Sequence, residues 1–232
     1  MSLPALLDST LDILFPRRCQ ACSVFLEHPL SGARKGGLAT WLCPDCRAGL
    51  EPCEPGLIRL PAAAPEQVFS GYLYAGPLAE IIPAWKYHRR YDLFPLITAL
   101  CRESLSRWVV PESEIDLVVA VPLSSRALRK RGFNQSRFIA EKVAGILNCR
   151  PAPGVLKKVV ETPRQATLDR PARQSNLDRR VFRVADPAAV RGGKVLVCDD
   201  VMTTGTTLRV AAAVLREAGA AAVVGFTLAR VP

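Results

Sequence analysis

Neither of the two common nucleotide-binding signatures occurs in this chain. Its 232 residues contain no Gly-x-x-x-x-Gly-Lys-Ser/Thr run, which excludes a P-loop, and no Gly-x-Gly-x-x-Gly, which excludes a dinucleotide-binding turn. Long apolar runs are missing too. The apolar stretch 3–15 contains Asp8 and Asp12, is too short to span a bilayer and lacks a small-residue cleavage site, so neither a transmembrane segment nor a signal peptide is expected. The expected setting is therefore cytoplasmic and reducing. Internal repeats and long low-complexity tracts are also absent, which sets aside repeat architectures. Acidic residues are scarce in one region only. Between Arg126 and Arg183 there are four Asp/Glu against fifteen Lys/Arg, so this segment holds the whole of the chain's net charge of +10.

Cysteine, by contrast, is well represented. Cys19-x-x-Cys22 and Cys43-x-x-Cys46 are two knuckles separated by twenty residues, the spacing of a closed four-thiolate zinc site. Two disulfides or four unrelated thiols are the other readings of the same spacing. Cys53, seven residues beyond the second knuckle, is a spare donor, and Cys101, Cys149 and Cys198 lie in apolar surroundings as small core residues. Ahead of the knuckles, Leu3, Leu6, Leu7, Leu11 and Leu14 recur at helical spacing and predict a short amphipathic helix. After them, Pro52, Pro55, Pro61 and Pro65 suit an extended connection. The expected organisation is a small module over 1–55, a linker over 56–66 and an α/β domain over 67–232.

Within 67–232 the pattern alternates. Strands are expected at 68–75, 117–121, 155–160, 181–184, 195–198 and 222–229, with helices at 78–87, 93–108, 135–147 and 208–218. Strands alternating with helices argue for a mostly parallel sheet.

The segment VLVCDDVMTTGTT, residues 195–207, carries the clearest chemistry. Its continuous apolar run reads as a strand covered on both faces. Asp199 and Asp200 follow at the strand's C-terminal end, where open α/β sheets bind ligands. Two adjacent carboxylates there can hold ribose hydroxyls or, directly or through water, a magnesium ion. Thr203, Thr204, Gly205, Thr206 and Thr207 then open a helix, and their backbone N–H groups and hydroxyls suit a phosphate dianion. Either half alone could be a strand end or a helix cap. In tandem, a diol binder beside a phosphate binder implies a phosphorylated sugar.

A second strand end leads into Pro122, Leu123, Ser124, Ser125 and Arg126, whose hydroxyls, backbone N–H groups and guanidinium can bind a pyrophosphate. Arg129 to Gln135 (RKRGFNQ) adds positive charge and polar donors before the next helix. As a basic loop ahead of a cap it would otherwise be unremarked.

VLVCDDVMTTGTT resembles the phosphoribosyl pyrophosphate (PRPP) signature of type I phosphoribosyltransferases. Together with PLSSRALRKRGFNQS, RQATLDRPARQSNL and the N-terminal cysteine module, it is similar to the ComF family of competence proteins. The resemblance implies a phosphoribosyltransferase fold carrying a small zinc module. It implies that Asp199 and Asp200 contact the ribose hydroxyls while residues Thr203 to Thr207 hold the 5′-phosphate. Pro122 to Arg126 would be the pyrophosphate loop, bordered by Arg131, Asn134 and Gln135. Arg164, Gln165, Arg170, Arg173 and Asn176 match the flexible flap that covers such sites and excludes water from PRPP. The implied ligands are structural zinc and PRPP with magnesium. The implied role is DNA uptake and natural transformation on single-stranded DNA, with a competence helicase or another DNA-uptake protein as partner.

A ligand with a few phosphates does not require fifteen cations. Arg150, Lys157, Lys158, Arg179, Arg180 and Arg183 are therefore candidates for a nucleic-acid surface. No general acid or base and no acceptor is legible, and the glutaminase-type N-terminal cysteine that would feed ammonia to such a site is not seen. Two further readings stay open: a salvage phosphoribosyltransferase for a base or nucleoside, and a non-catalytic binding module whose PRPP site is regulatory.

Overall fold

Apolar strands that alternate with amphipathic helices assemble into a five-stranded, fully parallel sheet. The computed structural model describes residues 17–26, 37–54, 67–108, 115–159 and 181–232. The expected N-terminal helix, almost all of the proline-rich connection, the flap residues Arg164, Gln165, Arg170, Arg173 and Asn176, and Arg179 and Arg180 lie outside the described residues.

The sheet consists of β1 (Gln67–Leu73), β2 (Leu117–Ala120), β3 (Arg150–Pro151), β6 (Lys194–Met202) and β7 (Ala222–Arg230), in the spatial order β1-β7-β6-β2-β3. A separate antiparallel ribbon pairs β4 (Leu156–Lys158) with β5 (Phe182–Val184). The described helices are α1 (Pro44–Ala48), α2 (Pro77–Tyr87), α3 (Phe94–Ser106), α4 (Ser125–Arg131), α5 (Gln135–Ile146) and α6 (Thr206–Glu217).

Two compact units emerge, Met1–Glu51 with Ala75–Ala99, and Pro52–Tyr74 with Leu100–Pro232. The first unit is thus discontinuous in sequence, and local contacts explain why. Arg90 donates to Gln20 Oε1 at 2.6 Å, and Gly76, at φ +49°, packs so closely that a Cβ there would lie 2.8 Å from the Gly49 carbonyl oxygen. Only glycine accommodates both conditions.

The second unit contains the sheet. Val195, Leu196, Val197 and Cys198 on β6 and Val118 and Val119 on β2 are fully buried, as central strands of a parallel sheet require. At the β1–β7 edge, Phe69 stacks on Trp108 at 5.1 Å and on Phe226 at 6.0 Å.

Three differences from the sequence expectation bear on the ends of β2 and β6. Strand β6 does not stop before the acidic pair but continues to Met202, because β7 keeps pairing with it as far as Met202↔Arg230. Helix α6 begins two residues early, at Thr206, after Gly205 adopts a left-handed conformation at φ +71°. The basic stretch after Ser124 is a helix and not a loop. Ser124 caps it by accepting from the Ala127 N–H at 3.2 Å, and Gly132, at φ +84°, ends it by donating to the Leu128 carbonyl at 2.8 Å.

Candidate functional site

Strand order places the site. From β2 the chain crosses to β3 on one side, whereas from β6 it crosses through α6 to β7 on the other, so β2 and β6 are neighbours whose connections diverge. A crevice opens beyond the C-terminal ends of such a strand pair. Strand β2 ends at Ala120, opposite Cys198, so Asp199 and Asp200 extend past it. The two halves expected from sequence therefore stand at the C-terminal ends of neighbouring strands: 199–207 at the end of β6, and Pro122, Leu123 and Ser124 just after β2.

Ser125, Arg126 and Arg131 belong to α4, with Ser125 and Arg126 exposed in its first turn. Asn134 and Ser136 tie the two strand ends together. Asn134 caps α5 by accepting from the N–H groups of Ser136 (3.0 Å) and Arg137 (3.4 Å), and its Nδ2 donates to the Val121 carbonyl at 3.0 Å. One turn of helix is thereby fixed to the end of β2. Ser136, 2 % exposed, donates from Oγ to Asp199 Oδ1 at 2.7 Å and fixes the same turn to β6. Sequence reasoning did not single out Ser136, whose contact with Asp199 is tertiary.

The acidic pair is further restrained by backbone donors. Asp199 Oδ1 accepts from the Asp200 N–H at 2.9 Å, and Asp200 Oδ1 accepts from the Val201 N–H at 2.6 Å. Asp200 is buried and Asp199 half-buried. Gln135, fully buried at the start of α5, accepts from Arg131 through Oε1 at 3.1 Å, leaving its Nε2 without a partner.

Beyond the pair, a depression of about 240 Å³ is lined by Asp199 and by residues 201–208, including the exposed Thr203 and Thr204. Gly205 provides the turn, and the Thr204 and Thr206 hydroxyls share a hydrogen bond at 2.7 Å. The N-terminal N–H groups of α6 open beside these hydroxyls, an arrangement that suits a phosphate.

The four knuckle cysteines come together in the first unit. The thiol sulfurs of Cys19, Cys22, Cys43 and Cys46 all lie within 4.8 Å of one another, and none of the eight cysteines is in a disulfide. Cys22 and Cys43 sulfurs stand 3.7 Å apart. Four ligands at about 2.3 Å around a tetrahedral zinc would be about 3.8 Å apart, so the donor set fits that ion.

Turn geometry builds each knuckle. Ser23, at φ +63°, returns its N–H to the Cys19 carbonyl, and Cys43 caps α1 by accepting from the Cys46 N–H at 3.4 Å. Burial disfavours the Cys19 thiolate, but N–H donors from Cys22, Cys43 and Ala21 outweigh it and bring the thiol down to about 6. Burial and the neighbouring thiols push Cys46 up. Four thiolates so close together need a cation to ionise jointly. Cys53 is not in the cluster; its sulfur accepts from Arg230 Nε at 3.3 Å.

The basic residues do not form one uniform group. Arg150 lies on β3 and donates to the Ala189 carbonyl at 3.2 Å, Lys157 and Lys158 lie on β4, and Arg183 lies on β5.

Residues 135–231 match the phosphoribosyl transferase domain family model. The chain is 32 % identical over 196 residues to the DNA utilization protein YhgH of Salmonella typhimurium, covering 82 % of this chain and 84 % of that one. Competence protein ComFC of Bacillus subtilis is 29 % identical over 162 residues, covering 69 % of this chain and 63 % of that one. This chain belongs to the ComF family.

The matched domain in this ComF-family chain runs from α5 through β7, so it includes the acidic pair and the threonine turn but not β2 or α4. A solved glutamine PRPP amidotransferase from B. subtilis overlaps 62 % of this chain and 30 % of its own, at 23 % identity and a TM-score of 0.43. No helix among the described residues of this ComF-family chain is long and apolar enough to cross a membrane.

Proposed function

We propose that this ComF-family protein is a cytoplasmic factor in DNA uptake or utilisation that binds PRPP in the β2/β6 crevice and a nucleic-acid strand on its basic segment. The observation that carries the reading is that Asp199 and the threonine turn line one depression at the C-terminal end of β6, where the connections of β2 and β6 diverge. Names of relatives, DNA utilization protein and competence protein, support the DNA role.

In this reading the threonine turn and the start of α6 hold the 5′-phosphate, and Asp199 and Asp200 hold the ribose hydroxyls. Ser124, Arg126 and Arg131 face the pyrophosphate from the β2 side. Magnesium, a hard cation suited to this carboxylate-rich strand end, would offset the charge of the pyrophosphate. The chain's own residues orient the sugar by its two ends and leave C1 between them. Transfer at C1 would break the bond to pyrophosphate oxygen and form one to an acceptor. Zinc on Cys19, Cys22, Cys43 and Cys46 serves structure, because four protein ligands leave no open position.

A pyrophosphate-release assay with PRPP and magnesium, run across bases, nucleosides and oligonucleotides, tests the reading alongside oligonucleotide binding. Oligonucleotide binding at low salt together with PRPP binding supports it. Rapid release with a free base and no oligonucleotide binding would instead identify a salvage enzyme.

A further inference from the structure

The β4–β5 ribbon carries a like-charge pair that folding alone does not favour. Its antiparallel register sets Lys157 directly opposite Arg183, and Lys158 opposite Phe182. Side chains alternate along a strand and opposed residues share a face. Lys157 and Arg183 therefore stand together on one face, and Lys158 stands with Phe182 on the other.

Burial agrees with this division. Lys157 and Arg183 are exposed, Lys158 is half-buried, and Leu156, Phe182 and Val184 are buried in a core that also includes Leu208, Ala211 and Leu215 of α6. The ribbon is thus anchored through its apolar face, which fixes where the charged face points.

Opposed Cβ atoms lie about 4.5–5.5 Å apart, a distance at which like charges oppose pairing. Elsewhere three arginines are paired with carboxylates: Arg90 with Asp92, Arg107 with Glu103 and Arg137 with Glu141. Among the described residues no carboxylate pairs with Lys157 or Arg183. Nor does either line the crevice beside Asp199. Two adjacent cations on a strand pair, with neither paired to a carboxylate among the described residues, suit an external anion.

We propose that Lys157 and Arg183 form a clamp for the phosphodiester backbone of a nucleic-acid strand, separate from the sugar-phosphate crevice. The proposal deepens the nucleic-acid part of the reading above and rests on it. A nucleic acid fits better than an acidic peptide because its phosphates recur along a strand, and the ribbon lies within the segment that holds the chain's entire charge excess. The register also divides the basic residues, since Lys157 acts with Arg183 and not with its neighbour Lys158.

The test is fluorescence anisotropy of a labelled single-stranded oligonucleotide on the full chain across salt concentrations. Compared are the parent, Lys157→Ala with Arg183→Ala, each single variant, Lys158→Ala, and Arg102→Ala as an exposed-charge control on α3. The double variant should bind roughly tenfold more weakly to every sequence. Its salt dependence should flatten by about 0.7 per cation removed. Arg102→Ala should bind like the parent, and Lys158→Ala should lose less than Lys157→Ala. If the double variant melts early, the two single variants carry the same comparison.

A parent that does not bind at low salt would overturn the nucleic-acid reading itself. Parent binding with an unchanged slope in the variants would overturn the clamp alone. Equal losses in Lys158→Ala and Lys157→Ala would overturn the assignment of faces, and displacement of the oligonucleotide by polyglutamate of matched length would overturn the choice of nucleic acid over acidic peptide.

Discussion

Ser136 Oγ donates to Asp199 Oδ1 at 2.7 Å, joining the first turn of α5 to the acidic end of β6. With Asn134 Nδ2 on the Val121 carbonyl, the same turn spans both strands that border the crevice. A helix start held at two points is a rigid wall for a ligand site. It also fixes one oxygen of Asp199 before any ligand arrives.

Ser136→Ala should therefore weaken PRPP binding without removing charge. The lost bond to a carboxylate should cost at most about 1.5–3 kcal/mol, reduced because Asp199 Oδ1 keeps the Asp200 N–H. Calorimetry should show a smaller loss than for Asp199→Asn. Urea unfolding should show a lower midpoint with the slope unchanged.

Zinc should be present at one ion per chain, and Cys19→Ser, Cys22→Ser, Cys43→Ser or Cys46→Ser should each reduce it and destabilise the first unit. Cys53→Ser should retain the full zinc content, since its sulfur pairs with Arg230. Metal analysis of protein prepared without chelator, followed by chelator titration, measures both.

Alkaline pH should destabilise the second unit. Burial pushes the Cys101 thiol up to about 12, and burial with the nearby Cys101 and Asp199 holds Cys198 well above its usual range. Both stay protonated in the folded chain while an unfolded thiol ionises near about 8.5. Their stabilisation is complete below that pH and is lost as pH rises toward 12, at about 1.4 kcal/mol per pH unit for each thiol. Urea midpoints from pH 8 to 10.5 should fall, and Cys101→Ala should lower the midpoint throughout while flattening its decline.

The strand and its acidic pair were legible because an apolar run ending in Asp-Asp and Thr-Thr-Gly-Thr-Thr encodes both burial and chemistry. The extension of β6 to Met202 was not. It depends on β7 continuing to pair, which no local pattern records. Helix α4 escaped notice because none of its residues is buried, so hydrophobic periodicity has nothing to report, and only the Ser124 and Gly132 caps define it. Ser136 looks like any polar residue at a helix start, and its role exists only through the tertiary approach of α5 to β6. The cysteine knuckles were legible from spacing alone. The joining of Ala75–Ala99 to the N-terminal unit was not, since it rests on contacts such as Arg90 with Gln20.

The central claim is that PRPP occupies the crevice bordered by Asp199 and Asp200, and calorimetric titration of PRPP with magnesium into the parent, Asp199→Asn and Asp200→Asn tests it most directly. Each substitution keeps volume and removes a charge. The account predicts saturable binding by the parent and a loss of about 1.5–3 kcal/mol in each variant, roughly ten- to a hundredfold in affinity, with both variants folded. No binding by the parent, or equal affinity in all three proteins, would contradict it.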